Sequence, residues 1–436
     1  MNTKGCCTIP GELFYWITFL TKILPLRSIG TFIELLIGAM LTPQGFVTEA
    51  YLLLDMQNHW TSYYKWLQKG KWSWLGLARQ FVKLFLRLNK DETIQLAIDD
   101  TLTLRASKKA PGSQIHHQHG NKPNLAAYVR GQCWVTLAVV MKKGASGIAI
   151  PLLTRLIPSA GNTGKLIAAK TVMRSVKALF HGRKLRLLVD SWYMRRTLIL
   201  SMIQQGCHVI GQTRIDTRMY DEPDKLPKAS RGRPRKYGKQ YSRKRIAHLK
   251  KTKVTLAIHG KEQIVRYRSR LVKARFIDGL KVRAVWCEFL SHNGRWKKTS
   301  LLLCTDITLS PEQVIENYSL RWSIEPMFKQ LKHAWGLKEA WQQTRQTLHR
   351  WVQITMTGYG LIQLLTCYAL PSIQPICQSM PWRRKSSITA GRTRYELVRY
   401  FKHVAVRGWW DKTCKKFCPP HLDKEDKNWD YWTEAV

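Results

Sequence analysis

Acidic residues are scarce in this chain, with 28 Asp and Glu against 72 Lys and Arg and a formal net charge of +44. That imbalance goes far beyond what solubility requires and implies a polyanionic partner, nucleic acid ahead of an anionic membrane surface. The ten Cys show no repeated spacing, so they are read as reduced thiols of a cytoplasmic protein and not as a disulfide framework. Cys414 and Cys418, with His421 nearby, have no second ligand pair of metal-site spacing. The start lacks a basic segment and a small-residue cleavage site, so no secretory leader is expected. Long apolar runs are also missing. Leu13–Leu24 is short and contains Lys22, and Val352–Leu370 carries Gln353, Thr355, Thr357, Gln363 and Thr366. A membrane helix needs about 20 mostly apolar residues, so the second run is read as a buried packing helix and no membrane partner is expected. There is no Walker-type phosphate loop, no dinucleotide glycine motif and no Gly-x-Ser-x-Gly, which leaves ATP, NAD and acyl chemistry unsupported. No internal repeat is evident.

What is present is enough chain for two or three domains, 436 residues with 44% hydrophobic content, and therefore a sizeable core. Trp numbers 18. Beside Arg or Lys it suits packing against sugars and bases, although most of these rings are expected in the core. Residues 10–90 read as a separate helical domain, a candidate for DNA-end binding or simple packing, with Thr48 a candidate cap and Trp74, Leu77, Phe81, Leu84 and Phe85 at helical spacing. Residues 91–214 change character. Ile94–Leu104, Gln132–Met141 and Ile148–Leu156 read as strands, followed by a helix over Gly164–His181, the strand Leu185–Asp190, a helix over Met194–Gln205 and the strand Cys207–Gln212. This is a mixed α/β layered order. Residues 215–300 read as a basic linker and an inserted β-rich subdomain. Residues 301–370 return to the main sheet at Leu301–Cys304 and continue into long helices over Pro311–Trp335 and Thr347–Leu370, and residues 371–436 read as a basic peripheral tail.

Three acids stand out. Asp100 lies on a strand with Ile98 and Leu96 on its own face, while its neighbour Asp99 points the other way. A carboxylate in an apolar strand is costly unless paired or bound to metal. Asp190 ends the strand LRLLVD, where open α/β sheets place ligands. Glu325 sits in Tyr318-x2-Arg321-x3-Glu325-x6-Lys332. At about 100° per residue these four side chains fall within roughly 60° of a helix face. Leu320, Ile324, Met327, Phe328 and Leu331 gather opposite. Pro326 removes one backbone donor and is expected to bend or restart the helix near Glu325.

Tyr318, Arg321, Glu325 and Lys332 match in spacing the Y-x2-R-x3-E-x6-K signature of DDE transposases from a large group of bacterial insertion sequences, and the chain resembles that family. AIDDT around Asp100 and LLVDSWY around Asp190 resemble the group's first two acidic motifs. The 135-residue interval from Asp190 to Glu325 resembles its layout, in which a β-rich insertion precedes the glutamate. The resemblance implies a ribonuclease-H-like catalytic domain with that insertion and a helical N-terminal domain. It implies a metal-binding triad of Asp100, Asp190 and Glu325. Asp100 is preferred because the family's acid directly precedes Thr or Gly, as Asp100 precedes Thr101, with Asp99 the alternative. Tyr318, Arg321 and Lys332 would contact phosphates of the element's end, and Trp322 would stack on a base or pack in the core. The implied cofactor is Mg²⁺ or Mn²⁺, two ions about 3.5–4 Å apart serving both ends of an in-line displacement. The implied partners are element ends and target DNA, both double-stranded, held by a homodimer in a nucleoid-associated complex. A metal-dependent nuclease without strand transfer, or an inactive basic DNA-binding protein, are the other readings of the same residues.

Residues 225–253 hold 13 basic residues and no acid, with Arg231, Arg233, Arg235 and Lys236 at the centre. The Arg-Gly-Arg-Pro core resembles an AT-hook, which lays Arg into a narrow minor groove. A flexible loop gripping phosphates without sequence preference fits the same residues. His116, His117 and His119 have no nearby Cys to complete a ligand set, and read as part of a mobile, substrate-facing loop.

Overall fold

The computed structural model describes residues 9–117, 126–144, 146–158, 162–223, 235–378 and 380–419. Five helices open the chain, α1 (Gly11–Thr21), α2 (Leu26–Leu41), α3 (Val47–Leu53), α4 (Trp60–Lys69) and α5 (Trp74–Leu88). Strands β1 (Thr93–Leu104), β2 (Gln114–His117), β3 (Tyr128–Lys143) and β4 (Ser146–Leu156) follow, then α6 (Asn162–Val176), β5 (Lys184–Val189), α7 (Arg196–Gln204) and β6 (Cys207–Thr213). Next come β7 (Met219–Tyr220), the short α8 (Arg243–Ala247), β8 (Thr252–Ile258), β9 (Lys261–Ala274), β10 (Leu280–Phe289) and β11 (Ser300–Cys304). The chain closes with α9 (Pro311–Ser319), α10 (Ile324–Ala334), α11 (Arg345–Tyr368), α12 (Leu370–Ile373), α13 (Ala390–Phe401) and the two-residue pair β12 (Trp410–Asp411) and β13 (Lys416–Phe417).

The central sheet runs β4-β3-β1-β5-β6, with β4, β3 and β1 antiparallel and β1, β5 and β6 parallel. Three antiparallel strands followed by two parallel ones, crossed over by helices, are consistent with a ribonuclease-H-like domain. The β-rich region was expected as a separate inserted unit. Its strands instead continue the same sheet, because β11 pairs with β6 on one side and β10 on the other, and β9 follows β10. β11 is almost wholly buried, so its backbone groups need a partner on each edge.

The helices of residues 10–90 do not stand apart from this sheet. α11 is buried along nearly its whole length, Gln353 and Thr357 included, and α2, α4 and α5 cover it while β4 lies against it. Polar anchors fix the contact. The indoles of Trp335 and Trp351 donate to the carbonyls of Met40 and Gly45. The Arg350 guanidinium donates to those of Leu67, Gly70 and Trp72. Thr48 is not a cap, since α3 starts one residue earlier with Phe46 at the N-cap position, whereas Ser73 caps α5 by accepting from the Gly76 amide. Among the described residues no helix is long and apolar enough to cross a membrane.

The segment expected as a peripheral tail is not peripheral over its described part. α13 packs on α2 and α11, with Leu397, Phe401 and even Glu396 buried. Phe417 closes an aromatic cluster with Phe14 and Trp409. Basic residues dominate the composition there, but the apolar ones fall on one face.

Candidate active site

β1 runs through the middle of the sheet, and its alternation sends neighbouring carboxylates to opposite faces. The parallel register with β5 pairs Leu96 with Leu187 and Ala97 with Leu188. Two residues further on, Asp99 comes level with Asp190 on one face, and Asp100 lies on the other. Asp190 follows directly on β5, and its Oδ1 accepts the Tyr193 amide at 3.0 Å.

The face of Asp99 is covered by α9 and α10. Gln95, two pleats below, donates to Asn317 of α9 at 3.1 Å. The expected continuous helix breaks into a 3₁₀ turn over Leu320–Ser323 and restarts as α10 at Ile324. Pro326 is then the third residue of α10, where its missing N–H would have had no partner within the helix. Glu325 stands in that first turn, where the helix dipole favours negative charge. Gly147 of β4 permits the turn to lie against the sheet. A Cβ at Gly147 would come within 3.2 Å of the Ser323 Cβ and 3.3 Å of the Leu320 carbonyl.

Arg321, on this turn, ties the acids together. Its guanidinium donates to Glu325 Oε1 at 2.9 Å, stands 3.7 Å from Asp99 Oδ2 and lies near the Tyr318 ring. Asp99 is pushed up to about 8 by burial first, then by the charges of Asp100 and Asp190, against the pull of the Asp100 amide and Arg321. Burial works against the Arg321 charge, but Tyr318, Glu325 and Asp99 hold its pKa above the ordinary value. Asp99 and Arg321 expose 18% and 13% of their side chains, and Glu325 38%, so the cluster opens to solvent on the glutamate side.

Asp100, preferred on the cue of Thr101, has a separate set of partners. Lys165 of α6 pairs with its Oδ2 at 2.7 Å, the Tyr193 hydroxyl donates to Oδ1 at 2.9 Å, and the Cys133 thiol donates to Oδ2 at 3.3 Å. The physical reason is the pleat. Only the odd-numbered acid of the pair shares a face with Asp190 and α10. Both oxygens of Asp100 are committed, and Tyr193 links it to Asp190 through its own backbone amide.

The remaining expected residues fall into three places. Tyr318 lies in the last turn of α9, with its hydroxyl 3.5 Å from Gln212. Lys332 is half-buried in the last turn of α10, and Trp322 is 52% exposed. Trp322, Tyr318, Arg321, His259 and Lys297 line a groove of about 250 Å³ between α9 and the extended sheet. Arg235 and Lys236 are exposed, while Arg231, Arg233, His119 and His421 lie outside the described residues. His116 and His117 belong to β2, where His116 is buried and held below its usual pKa by burial and by Lys165.

A family model described as DDE superfamily endonuclease matches residues 32–273. The chain belongs to this family. No curated protein matches it. The matched residues include Asp99, Asp100 and Asp190, and Glu325 lies beyond them. Membership in the DDE endonuclease family makes DNA the substrate and metal-dependent cleavage of DNA the activity, with divalent ions, typically Mg²⁺, as the family's cofactor. Among the described residues no three His, Cys, Asp or Glu side chains stand close enough to chelate an ion as they are. The donor set still fits the endonuclease's metal. Mg²⁺ takes a few carboxylates and completes its shell with water and phosphate oxygens. A cation here would relieve the repulsion that raises Asp99. Lys165, Tyr193 and Cys133 escaped the sequence reading. Only Tyr193 had a signal, its place in the LLVDSWY run, because nothing in the spacing of Lys165 or Cys133 predicts that they meet Asp100.

Proposed function

We propose that the protein is a DDE transposase that binds its element's ends, cuts them and joins them to target DNA. Asp99, Asp190 and Glu325 would hold the divalent ions, one or two Mg²⁺ or Mn²⁺. The observation that carries this reading is the convergence of Asp99, Asp190 and the Arg321–Glu325 pair on one face of the sheet. Bound there, the metal would supply charge neutralisation at the scissile phosphate and lower the pKa of an attacking water or 3′-hydroxyl. The chain's own residues do the rest. Asp99 on β1 and Asp190 just after β5 would hold the ions. Arg321 releases Glu325 and turns its two-pronged donor set to a phosphate. Tyr318 and Lys332 hold neighbouring phosphates. Trp322 stacks on a base at the groove rim, and Arg231, Arg233, Arg235 and Lys236 grip backbone from the basic loop. Asp100 acts behind Asp190, as a positioning residue through Tyr193. A homodimer would hold two ends together.

The test is a Mg²⁺-dependent cleavage assay on DNA carrying the repeats that flank the gene. A product joined through a 3′-hydroxyl supports strand transfer, and cleavage without joining reduces the reading to a nuclease. Absence of cleavage in Mg²⁺ and Mn²⁺ would overturn it.

A further inference from the structure

At the carboxyl ends of β5 and β6 the surface opens into a second groove of about 490 Å³, apart from the one beside Trp322. Ser191, Met194 and Arg195 line it from the turn after Asp190, Thr213 from the end of β6, Arg214, Asp216, Thr217 and Arg218 from the chain after it, and Arg275 and Phe276 from the turn after β9. Four arginines thus face one aspartate. Asp216 engages Arg214 through two hydrogen bonds. Arg195, Arg218 and Arg275 are exposed and have no carboxylate partner among the described residues. The Arg195 side chain donates only to the Trp192 carbonyl, so three guanidinium groups without a carboxylate gather at one concavity, where their summed field favours an anion. Met194 and Phe276 supply an apolar wall and Ser191 a hydroxyl, while the Thr217 hydroxyl is spent on the Arg214 carbonyl. A single small anion would leave most of this volume unfilled. A sugar–phosphate strand offers charges at intervals, with apolar sugars between them.

The groove's position relative to Tyr318 can be read from β6. Thr213 and Gln212 alternate on β6, so the groove lies across that strand from Tyr318, which meets Gln212. Ser191 lies next to Asp190 in the chain, while the charge of Asp190 reaches Tyr318 on the other side. We propose that this arginine groove binds the backbone of the DNA strand on the far side of the scissile phosphate from Tyr318, Arg321 and Lys332. The active centre is then gripped from both directions. This rests on the transposase reading for the location of the cut, but binding itself needs neither metal nor turnover.

The test measures the salt dependence of binding to a fluorescently labelled DNA duplex in EDTA. The variant is the triple Arg195→Gln, Arg218→Gln, Arg275→Gln, all at exposed positions, with thermal unfolding as the check on folding. Neutralising one phosphate-binding cation lowers the slope of log affinity against log salt by about 0.9, so a fall of about 2 to 3 units is expected. The triple Arg→Lys at the same positions keeps the slope, including where the Gln triple folds poorly. A control triple on the C-terminal segment, Lys402→Gln, Lys412→Gln and Lys415→Gln, removes the same charge elsewhere and also keeps it. An unchanged slope in the groove variant, or an equal fall in the control, would overturn the proposal. So would displacement of DNA by inorganic phosphate beyond that by chloride at equal ionic strength, since that marks a small-anion site. Because the wild-type cleavage assay is read separately, failure of the function and failure of the groove are distinguishable.

Discussion

On one face of β1, Asp99 looks across to Asp190 and shares a single guanidinium with Glu325. On the other face, one pleat away, Asp100 has both oxygens occupied by Lys165, Tyr193 and Cys133. The two carboxylates are adjacent in sequence and similarly shielded from solvent, yet one group is short of positive charge and the other is satisfied. A satisfied buried network rigidifies the strand that carries it. An unsatisfied one stores unfavourable repulsion until a ligand relieves it. On the function proposed above this difference is a division of labour, with Asp100 building the scaffold and Asp99 meeting the metal.

The largest effect expected from this division is on cleavage. Asp99→Asn removes a metal ligand and should lower cleavage by about 10³-fold, the equivalent of several kcal/mol of charge stabilisation. DNA binding in EDTA should stay near wild type. Asp100→Asn should show the reverse emphasis. It leaves the Lys165 ammonium without its carboxylate and should destabilise the fold by about 2 kcal/mol, less than a fully buried pair because both groups keep some solvent. Cleavage should fall only about 10-fold. If Asp100→Asn abolished cleavage and Asp99→Asn spared it, the assignment of the two faces would be exchanged.

Next in size is a pH effect on the metal-free protein. The Asp99 carboxyl titrates at about 8 in the fold, above its ordinary value of 3.8. Between those values the native state holds a proton that the unfolded chain has lost. Stability from this group is therefore complete at low pH, declines as pH rises from about 4 to 8, and levels off above that. The decline approaches one proton, about 1.4 kcal/mol per pH unit. Denaturant unfolding in EDTA across pH 5 to 9 should show this slope in the wild type and lose it in Asp99→Asn. Equal slopes would mean that the repulsion on Asp99 has another outlet.

Much of the frame that carries these residues was legible from pattern. The apolar run from Ile94 and the short LRLLVD strand declare buried strands, and Pro326 marked the restart of a helix. What spacing could not decide was which of two adjacent acids faces Asp190. That depends on the register between β1 and β5, a tertiary fact with no local signature. The Thr101 that follows Asp100 is a local cue that carries no register. Similarly, the β-rich stretch looked self-contained because its strands are consecutive in sequence. Only the placement of β11 between β6 and β10 shows that they extend the main sheet. The helices of residues 10–90 looked independent for the same reason, since the need of α11 for cover is invisible until α11 is known to be buried on all sides.

A finer cut separates the link between the faces from the faces themselves. Tyr193→Phe deletes the hydroxyl that Asp100 accepts but keeps the ring and the backbone amide that Asp190 accepts. Partners behind a metal ligand are typically worth about 10- to 100-fold in affinity, and this one acts through a turn, so the lower end is expected. Stability should fall by about 1 kcal/mol. Calorimetric titration with Mn²⁺ checks it, and unchanged affinity would confine Asp100 to a purely structural part.

Cys133→Ala should have the smallest effect. The thiol is a weak donor at 3.3 Å to an oxygen that already has Lys165, so its loss leaves Asp100 paired. What remains is a small void next to a buried strand, costing about 1 kcal/mol in the denaturant midpoint, with cleavage and metal affinity unchanged. This modest result discriminates between two accounts of the Asp100 face. If that face were a second metal site, the thiol would be a soft ligand, and its removal would alter metal affinity. If the face is scaffold, the same deletion changes packing alone.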